Sequence, residues 1–205
     1  MEIIKLSKNA VNEAVKVIKS GGVVICPTDT VYGFLADATN QKAVEKIFKI
    51  KKRPRSKPLP IFVKDIKMAK DLAEINARQM KILTLRHGSG QEKYWPGKYT
   101  FILKRKKPCE LGSHTKLYGI GKETIALRIP KYKFLNYLLK KINKPLAQTS
   151  VNISGEPALI KINDIIRKFG MSDIPMLIID GGDLPKSNPS TIIDLSKDKI
   201  KTLRK

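Results

Sequence analysis

Apolar residues along the chain follow two patterns, one with helical spacing and one of short continuous runs. Val11, Val15 and Ile18 recur at helical spacing before a pair of glycines, which predicts a first helix over residues 8–20. The continuous apolar run from Val23 to Cys26 that follows is typical of a buried strand. We therefore predict a helix and a strand joined by a tight turn.

The same two patterns continue to the end of the chain. Further helices are predicted over about residues 40–51, 65–86 with a break near Asn76, 132–142 and 161–169. Further strands are predicted over residues 59–63, 99–103, 125–129, 146–149, 176–179, 191–195 and 199–203. Residues 104–122 are rich in Lys and Gly, follow neither pattern and are interpreted as a loop. The alternation of helices and strands indicates an α/β or α+β fold.

Length and hydrophobic content indicate one folded domain over residues 1–205. Hydrophobic residues make up 41% of the chain, enough for a core, and neither a repeat nor a long Pro/Ser-rich linker divides it. No uncharged apolar stretch approaches the ~18–20 residues needed to span a bilayer, and the first helix is charged throughout, unlike a signal peptide. We therefore expect a cytoplasmic protein without a membrane partner.

The charge balance is informative about partners. Lys and Arg number 41 against 18 Asp and Glu, a formal net charge of +23. Such an excess attracts nucleic acid or phosphate-bearing ligands, although a solvated Lys-rich surface explains the total charge equally well. Six cations lie between Lys49 and Lys57, a run that fits a solvated helix end, a nucleic-acid patch or a site for an anionic ligand.

Several kinds of chemistry are excluded by the sequence. The two cysteines, Cys26 and Cys109, and the two histidines, His87 and His114, are too few and too scattered for a disulfide framework or a structural zinc site. The sequence has no G-x-S-x-G, and its glycine-rich segment 119–124 lacks the Lys-Ser/Thr ending of a phosphate-binding loop. Positioning and charge stabilisation remain as the means of catalysis.

Two polar loops follow predicted strands and are candidates for ligand binding. Asp29 and Thr30 come shortly after a buried strand, where α/β proteins tend to place ligand loops. Ser150 and Asn152 follow a later strand and lie on one side of an extended segment, so a hydroxyl and an amide can face one ligand. Taken singly, each loop is better explained as a turn whose polar side chains bond the backbone.

Taken together and in order, seven motifs resemble the YrdC/Sua5 family of threonylcarbamoyl-AMP synthases over residues 10–204. The motifs are Ser20-Gly21-Gly22; Pro27 to Gly33; Lys51-Lys52-Arg53-Pro54 with Lys57-Pro58-Leu59; Trp95-Pro96-Gly97 with Thr100; Ala126 to Pro130; Ser150 to Gly155; and Pro189 to Asp194. The resemblance implies a single YrdC-like α/β domain with a twisted mixed sheet, flanking helices and a concave, positively charged groove. It implies the short YrdC type, because longer Sua5 members carry a second domain.

The resemblance also implies a reaction, in which L-threonine, bicarbonate or CO2, and ATP give threonylcarbamoyl-AMP and pyrophosphate. The product feeds the t6A modification of tRNA. We therefore expect Mg2+ bound through ATP without a dedicated protein site, and transfer of the adenylate to the TsaD-containing threonylcarbamoyltransferase complex. Two alternatives stay open: an RNA-binding module that uses the same basic groove, with tRNA as its partner, and a carbamoyl-transfer relative.

The family's motifs assign roles to residues of this sequence by resemblance. The catalytic residues match its Lys-x-Arg and Ser-x-Asn pairs: Lys51, Arg53, Ser150 and Asn152. The residues expected to bind L-threonine are Thr30, Tyr32, Arg128 and Ser190. Those expected to bind ATP are Arg53, Lys57, Thr124, Ser150 and Arg204. Because all reactants are anionic, the site requires preorganised cations, and two parallel N–H donors of Arg128 suit a carboxylate.

Overall fold

The computed structural model of the chain describes residues 2–87, 92–107, 116–171, 174 and 176–204. Its helices are α1 (Lys8–Lys19), α2 (Gln41–Lys51), α3 (Ile66–Leu72), α4 (Ala77–Thr84), α5 (Lys133–Ile142) and α6 (Ile162–Phe169). Its strands are β1 (Glu2–Lys5), β2 (Val23–Cys26), β3 (Gly33–Asp37), β4 (Ile61–Phe62), β5 (Arg86–His87), β6 (Glu92–Lys93), β7 (Tyr99–Lys104), β8 (Thr124–Arg128), β9 (Leu146–Ser150), β10 (Met176–Asp180), β11 (Thr191–Asp194) and β12 (Lys201–Arg204).

Ten of these strands form one sheet in the order β1-β10-β2-β3-β9-β4-β8-β7-β11-β12. The pairs β1–β10, β10–β2, β4–β8 and β7–β11 are parallel. The central pairs β2–β3 and β3–β9, and the pairs β4–β9, β7–β8 and β11–β12, are antiparallel. A mixed sheet combined with helices confirms the predicted α/β fold class.

Helices cover both faces of the sheet, and successive residues of a strand contribute to opposite layers. On one face, α1 and α5 pack against Val24, Leu35 and Phe62. On the other face, α2, α3 and α6 belong to the layer that contains Ile25 and Phe34. Both layers consist of buried apolar side chains, whose removal from water is the dominant favourable term in folding.

Side-chain caps fix where four of the helices begin. In each, a side-chain oxygen accepts a hydrogen bond from the backbone N–H three residues on, which would otherwise lack a partner in the helix. The capping residues are Ser7, Asn40, Asp65 and Asn76. Asn76 also forms a capping box with Gln79, which starts α4 and confirms the predicted break.

Two strands of the main sheet are not predicted by the sequence patterns. All five residues of β3 are buried and include a glycine and an aspartate, so no alternation marks it. β1 is a short edge strand with a charge at each end. Part of the predicted 104–122 loop, with Cys109 and His114, lies outside the described residues. Over the ranges that the structure describes, no helix combines the length and apolar character needed to cross a membrane.

Candidate active site

A cavity of about 260 Å³ lies on the sheet face that α1 and α5 cover elsewhere. Thr124, Ala126 and Arg128 line it from β8, because every second side chain of a strand points to the same face. Gln148, Thr149 and Ser150 line it from β9. Further lining residues come from the segments after β2 and α2 and from β11 and β12. The cavity therefore joins segments that are far apart in the sequence.

Positive charge dominates the wall of this cavity. Its charged residues are Arg53, Arg128 and Arg204, and no carboxylate is present among the lining residues in the described part of the chain. Burial lowers the pKa of Arg204, and the nearby charge of Arg128 lowers it further. Arginine nevertheless stays protonated in proteins. Such a wall attracts an anionic ligand and can hold it through charge-assisted hydrogen bonds.

Most of the residues predicted for the site meet at this cavity. Seven of the eleven line it: Thr30, Arg53, Thr124, Arg128, Ser150, Ser190 and Arg204. The four that are not among its lining residues are Lys51, Asn152, Tyr32 and Lys57. The motifs therefore predict the location of the site, and the contacts of each side chain decide what it can do there.

Arg128 lines the cavity although its side chain is only 2% exposed. Its Nε donates to Gly97 O at 3.0 Å, and its Nη2 donates to Asp29 Oδ1 at 2.5 Å. Nη1 makes a longer contact of 3.4 Å with Thr30 Oγ1, and the guanidinium lies 5.5 Å from the centroid of the Phe62 ring. Of its five N–H donors, one on Nη1 and one on Nη2 have no partner among the described residues and are available to a ligand.

The turn after β2 supplies Thr30 to the cavity, while Thr28 shapes the turn. Thr28 Oγ1 accepts from the Thr30 N–H at 3.0 Å and donates to Val31 O at 2.7 Å. This is the turn-forming role that the alternative interpretation of the loop predicts. The Thr30 hydroxyl lies between Thr28 Oγ1, at 3.1 Å, and Arg128 Nη1. The loop therefore places one hydroxyl beside the cavity arginine.

Lys51 lies behind the cavity wall, where its ammonium binds the segment after β9. Nζ donates to Ser150 O at 2.6 Å, to Asn152 O at 2.9 Å and to Asn152 Oδ1 at 2.6 Å. These bonds use all three donors of an ammonium. Ser150 Oγ donates to the same Asn152 Oδ1 at 2.7 Å, and Asn152 Nδ2 donates to Glu156 O at 2.6 Å. In this arrangement Lys51 and Asn152 hold Ser150 at the cavity, and the catalytic roles expected of both residues stay a prediction.

Arg53 reaches the cavity because Lys52, the residue that caps the end of α2, has a φ of 50° and turns the chain. Arg53 Nε and Nη2 donate to the carbonyl oxygens of Lys57 and Pro58, both at 2.9 Å. Lys57 thus contributes its carbonyl to the site, while its side chain is exposed outside the cavity. Burial lowers the pKa of Arg53. Burial, with a smaller effect of Arg53, also lowers the pKa of Lys51 to about 7.

Ser190 and Arg204 form another part of the wall. Ser190 Oγ lies 2.8 Å from Thr100 Oγ1 on β7. Arg204 donates through Nε and Nη2 to Ser190 O, at 2.9 and 2.7 Å. β12 pairs with β11 so that Arg204 lies opposite Ile192, which also lines the cavity. The pairing of these two strands therefore brings a third arginine to the site.

Tyr32 is fully buried and supports the loop that carries Thr30. Its hydroxyl donates to Gly182 O at 2.7 Å and accepts from the Gly181 N–H at 3.0 Å. Burial is the main reason that the pKa of Tyr32 is raised to about 12. Tyr32 therefore ties the start of β3 to the turn after β10, and its predicted part in threonine binding stays a prediction.

Three further polar residues of the site are not among those to which the family resemblance assigns a role. Asp29 pairs with Arg128 and accepts from the Lys131 N–H at 2.9 Å. A carboxylate beside a predicted cationic site is a usable signal, since a buried charge requires a partner. Thr100 contacts Ser190, and Gln148 lines the cavity from β9. Thr100 belongs to one of the seven motifs, but the sequence does not mark Gln148, because the face to which a strand residue points depends on the sheet pairing.

Known proteins resemble this chain in sequence and in fold. A protein of Methanocaldococcus jannaschii is 35% identical over 189 residues, which are 92% of this chain and 82% of that protein. A threonylcarbamoyl-AMP synthase of Bacillus subtilis is 31% identical over 186 residues, which are 91% of this chain and 50% of the relative. The crystal structure of P. abyssi Sua5 complexed with L-threonine matches with a TM-score of 0.80 and 28% identity, over 99% of this chain and 56% of that one.

This chain thus spans about half the length of the B. subtilis and P. abyssi proteins. A family-level match covers nearly all of it: residues 16–205 match the Sua5_yciO_yrdC family, which is described as "Telomere recombination". The matched range includes every residue predicted for the site. The chain therefore belongs to the Sua5/YciO/YrdC family.

Proposed function

We propose that this protein is a threonylcarbamoyl-AMP synthase, which condenses L-threonine, bicarbonate or CO2, and ATP to threonylcarbamoyl-AMP and pyrophosphate for the t6A modification of tRNA. The observation that carries the proposal is the cavity wall. Three arginines and several hydroxyls face one space there, without a carboxylate among the described lining residues. Such a wall attracts many anionic ligands. Membership in the family indicates which of them are bound, namely the substrates of this reaction.

The reaction needs a cationic wall because its participants are anions. The threonine amine adds to CO2 and loses a proton, which gives an N-carboxy anion. An oxygen of this anion attacks the α-phosphorus of ATP, and the bond to pyrophosphate breaks. Two unit negative charges about 4 Å apart repel each other by about 4 kcal/mol at an effective dielectric constant of ~20. Fixed cations remove this repulsion and stabilise the charge that develops.

The cavity offers a division of these cations between the two substrates. In the proposal, the available N–H donors of Arg128 bind the carboxylate of threonine, with the hydroxyls of Thr30 and Ser190 nearby. Arg53 and Arg204 face the phosphates of ATP. Both arginines are held by backbone carbonyl oxygens, so their direction is set before ATP binds. Catalysis then depends on positioning and charge, without a covalent intermediate on the protein.

Mg2+ enters this proposal with ATP. Within the described ranges, no group of three or more acidic, His or Cys side chains could hold a metal ion. The cavity wall has neutral oxygens, from Ser150 and Gln148, whereas a dedicated Mg2+ site usually includes carboxylates. These residues fit a Mg2+ ion that the triphosphate holds and that screens the charge of the leaving pyrophosphate.

The test is an incubation of the purified protein with ATP, Mg2+, L-threonine and labelled bicarbonate. We expect the label in an adenylate, together with pyrophosphate release that requires both threonine and bicarbonate. Reactions that lack one of these two substrates are the controls. Pyrophosphate release that is independent of threonine, or no labelled adenylate from folded protein, refutes the proposal.

The proposal extends to the fate of the adenylate: the TsaD-containing threonylcarbamoyltransferase complex would transfer its threonylcarbamoyl group to tRNA and release AMP. The support for this step is family resemblance. Addition of that complex and unmodified tRNA to the same incubation should move the label into tRNA. Label that stays in the adenylate would contradict this step without affecting the synthase reaction.

A groove beside α2 favours RNA binding as a second function. Its volume is about 600 Å³, and it shares Arg53 with the cavity. It has one carboxylate and six cations among its described lining residues, the cations being Lys42, Lys46, Lys49, Lys52, Arg53 and Arg55. Binding of tRNA should weaken steeply as salt rises and should not depend on threonine. An affinity that is insensitive to salt would exclude this use of the groove.

A further inference from the structure

Asp29 is the only carboxylate that forms an ion pair with an arginine of the cavity wall, as far as the described residues show. Its side chain is 6% exposed. Oδ1 accepts from Arg128 Nη2 at 2.5 Å, and Oδ2 accepts from the Lys131 N–H at 2.9 Å. Asp29 is not among the described residues that line the cavity, so it acts on the site through Arg128.

The bonds of Asp29 set the direction of the Arg128 guanidinium. Gly97 O holds Nε at 3.0 Å, and Asp29 holds Nη2. A planar group held at two of its three nitrogens cannot turn, so the available N–H donors of Nη1 and Nη2 keep one direction. The Lys131 N–H fixes the carboxylate in turn, and Lys131 follows the strand that carries Arg128. The direction of the donors therefore depends on Asp29 as well as on Arg128.

Asp29 also changes what Arg128 attracts. An unpaired guanidinium would attract every anion in the cavity, including the phosphates of ATP. Pairing with a buried carboxylate offsets part of this charge, while the N–H donors that Asp29 does not engage keep a fixed direction. Such donors favour a ligand with a matching planar carboxylate over a ligand that only brings more charge.

We propose that Asp29 is a positioning residue that directs Arg128 toward the carboxylate of the amino-acid substrate. The proposal rests on the proposed synthase function and adds to it a residue that acts on threonine binding without touching threonine. A residue with this role affects the binding of threonine. It does not affect the binding of ATP, which in the proposal depends on Arg53 and Arg204.

The experiment compares Asp29→Asn with a matched control, Asp37→Asn. Asp37 is also buried, accepts from Lys144 Nζ at 2.6 Å and from the Thr39 N–H at 2.8 Å, and is not among the lining residues of the cavity. KM for threonine, KM for ATP and kcat are measured from pyrophosphate release. We expect Asp29→Asn to raise the threonine KM roughly ten- to hundredfold and the ATP KM less than about twofold. Asp37→Asn should match the wild type in both.

An unchanged threonine KM in folded D29N, or equal rises in both KM values, overturns the positioning role. An equal rise in D37N overturns it too, because any buried carboxylate then has the same effect. If circular dichroism shows that D29N is unfolded, Asp29→Glu takes its place: it keeps the charge but moves the oxygens by one methylene, so a wild-type threonine KM overturns the role. A wild-type protein that forms no adenylate overturns the synthase function itself, which separates the two failures.

Discussion

Replacing Lys51 by methionine is expected to remove a pH dependence from the stability of the protein. Lys51 is 1% exposed, and burial, with a smaller effect of Arg53, lowers its pKa from 10.5 to about 7. Between these two pH values the folded protein has released a proton that the unfolded chain still holds. The free energy of unfolding therefore rises with pH, by up to ~1.4 kcal/mol per pH unit. From about pH 7 to about pH 9, Lys51 contributes a gain of about 2 kcal/mol.

Lys51→Met keeps the length of the side chain but not its charge, so the variant should lose this gain. The measurement is urea unfolding of wild type and variant at about pH 7, 8 and 9. Lys46→Met is the control, because Lys46 also lies on α2 and donates to a backbone carbonyl, that of Gly21 at 2.7 Å, but is only half-buried. Parallel pH profiles of all three proteins would refute the reasoning and would mean that the three oxygens around Lys51 Nζ keep it charged.

Two further substitutions test the site and its support. Arg53→Ala should lower kcat/KM for ATP about a hundredfold in a pyrophosphate-release assay, because Arg53 is fixed at the cavity. Arg55→Ala, which removes a 75% exposed arginine, is its control, and an equal loss in both would point to bulk charge instead of geometry. Tyr32→Phe should lower the free energy of unfolding by about 1–3 kcal/mol in urea, because Gly181 N–H and Gly182 O lose a buried partner. Unfolding at the wild-type urea concentration would contradict this.

Features of the fold that depend on neighbours in sequence are predictable from sequence. The strand from Val23 to Cys26 has its predicted bounds, because a continuous apolar run directly after a helix and two glycines is unambiguous. The break between α3 and α4 is predicted because Asn76 caps the second helix. β3 is not predicted, because it lies in the middle of the sheet with a hydrophobic layer on each face, and burial on both faces leaves no period in the sequence.

The motifs predict which segments form the site but not the direction of each side chain. Lys51 and Arg53 are two residues apart, yet one ammonium binds backbone inside the protein and the other cation lines the cavity. The difference arises at Lys52, whose left-handed conformation at the end of α2 turns the chain between the two residues. This conformation is not predictable from the sequence, because it is usually adopted by Gly or Asn and not by Lys. Thr30 and Tyr32 are also two residues apart, and their side chains have different surroundings because the Tyr32 hydroxyl binds a turn that is distant in sequence.

The cationic wall has its function because its charges are fixed but mostly not neutralised. Arg53 and Arg204 donate to backbone carbonyl oxygens, which hold the guanidinium groups but carry no opposite charge. Burial lowers the pKa of Arg53 and of Arg128, so the charged form of each is held in the folded protein at a cost in stability. Asp29 offsets this cost at Arg128, whereas no carboxylate of the described residues forms an ion pair with Arg53. Cations that are held in place before an anion arrives need no reorganisation when charge develops during the proposed reaction. This catalytic advantage offsets the stability that the protein loses by burying positive charge.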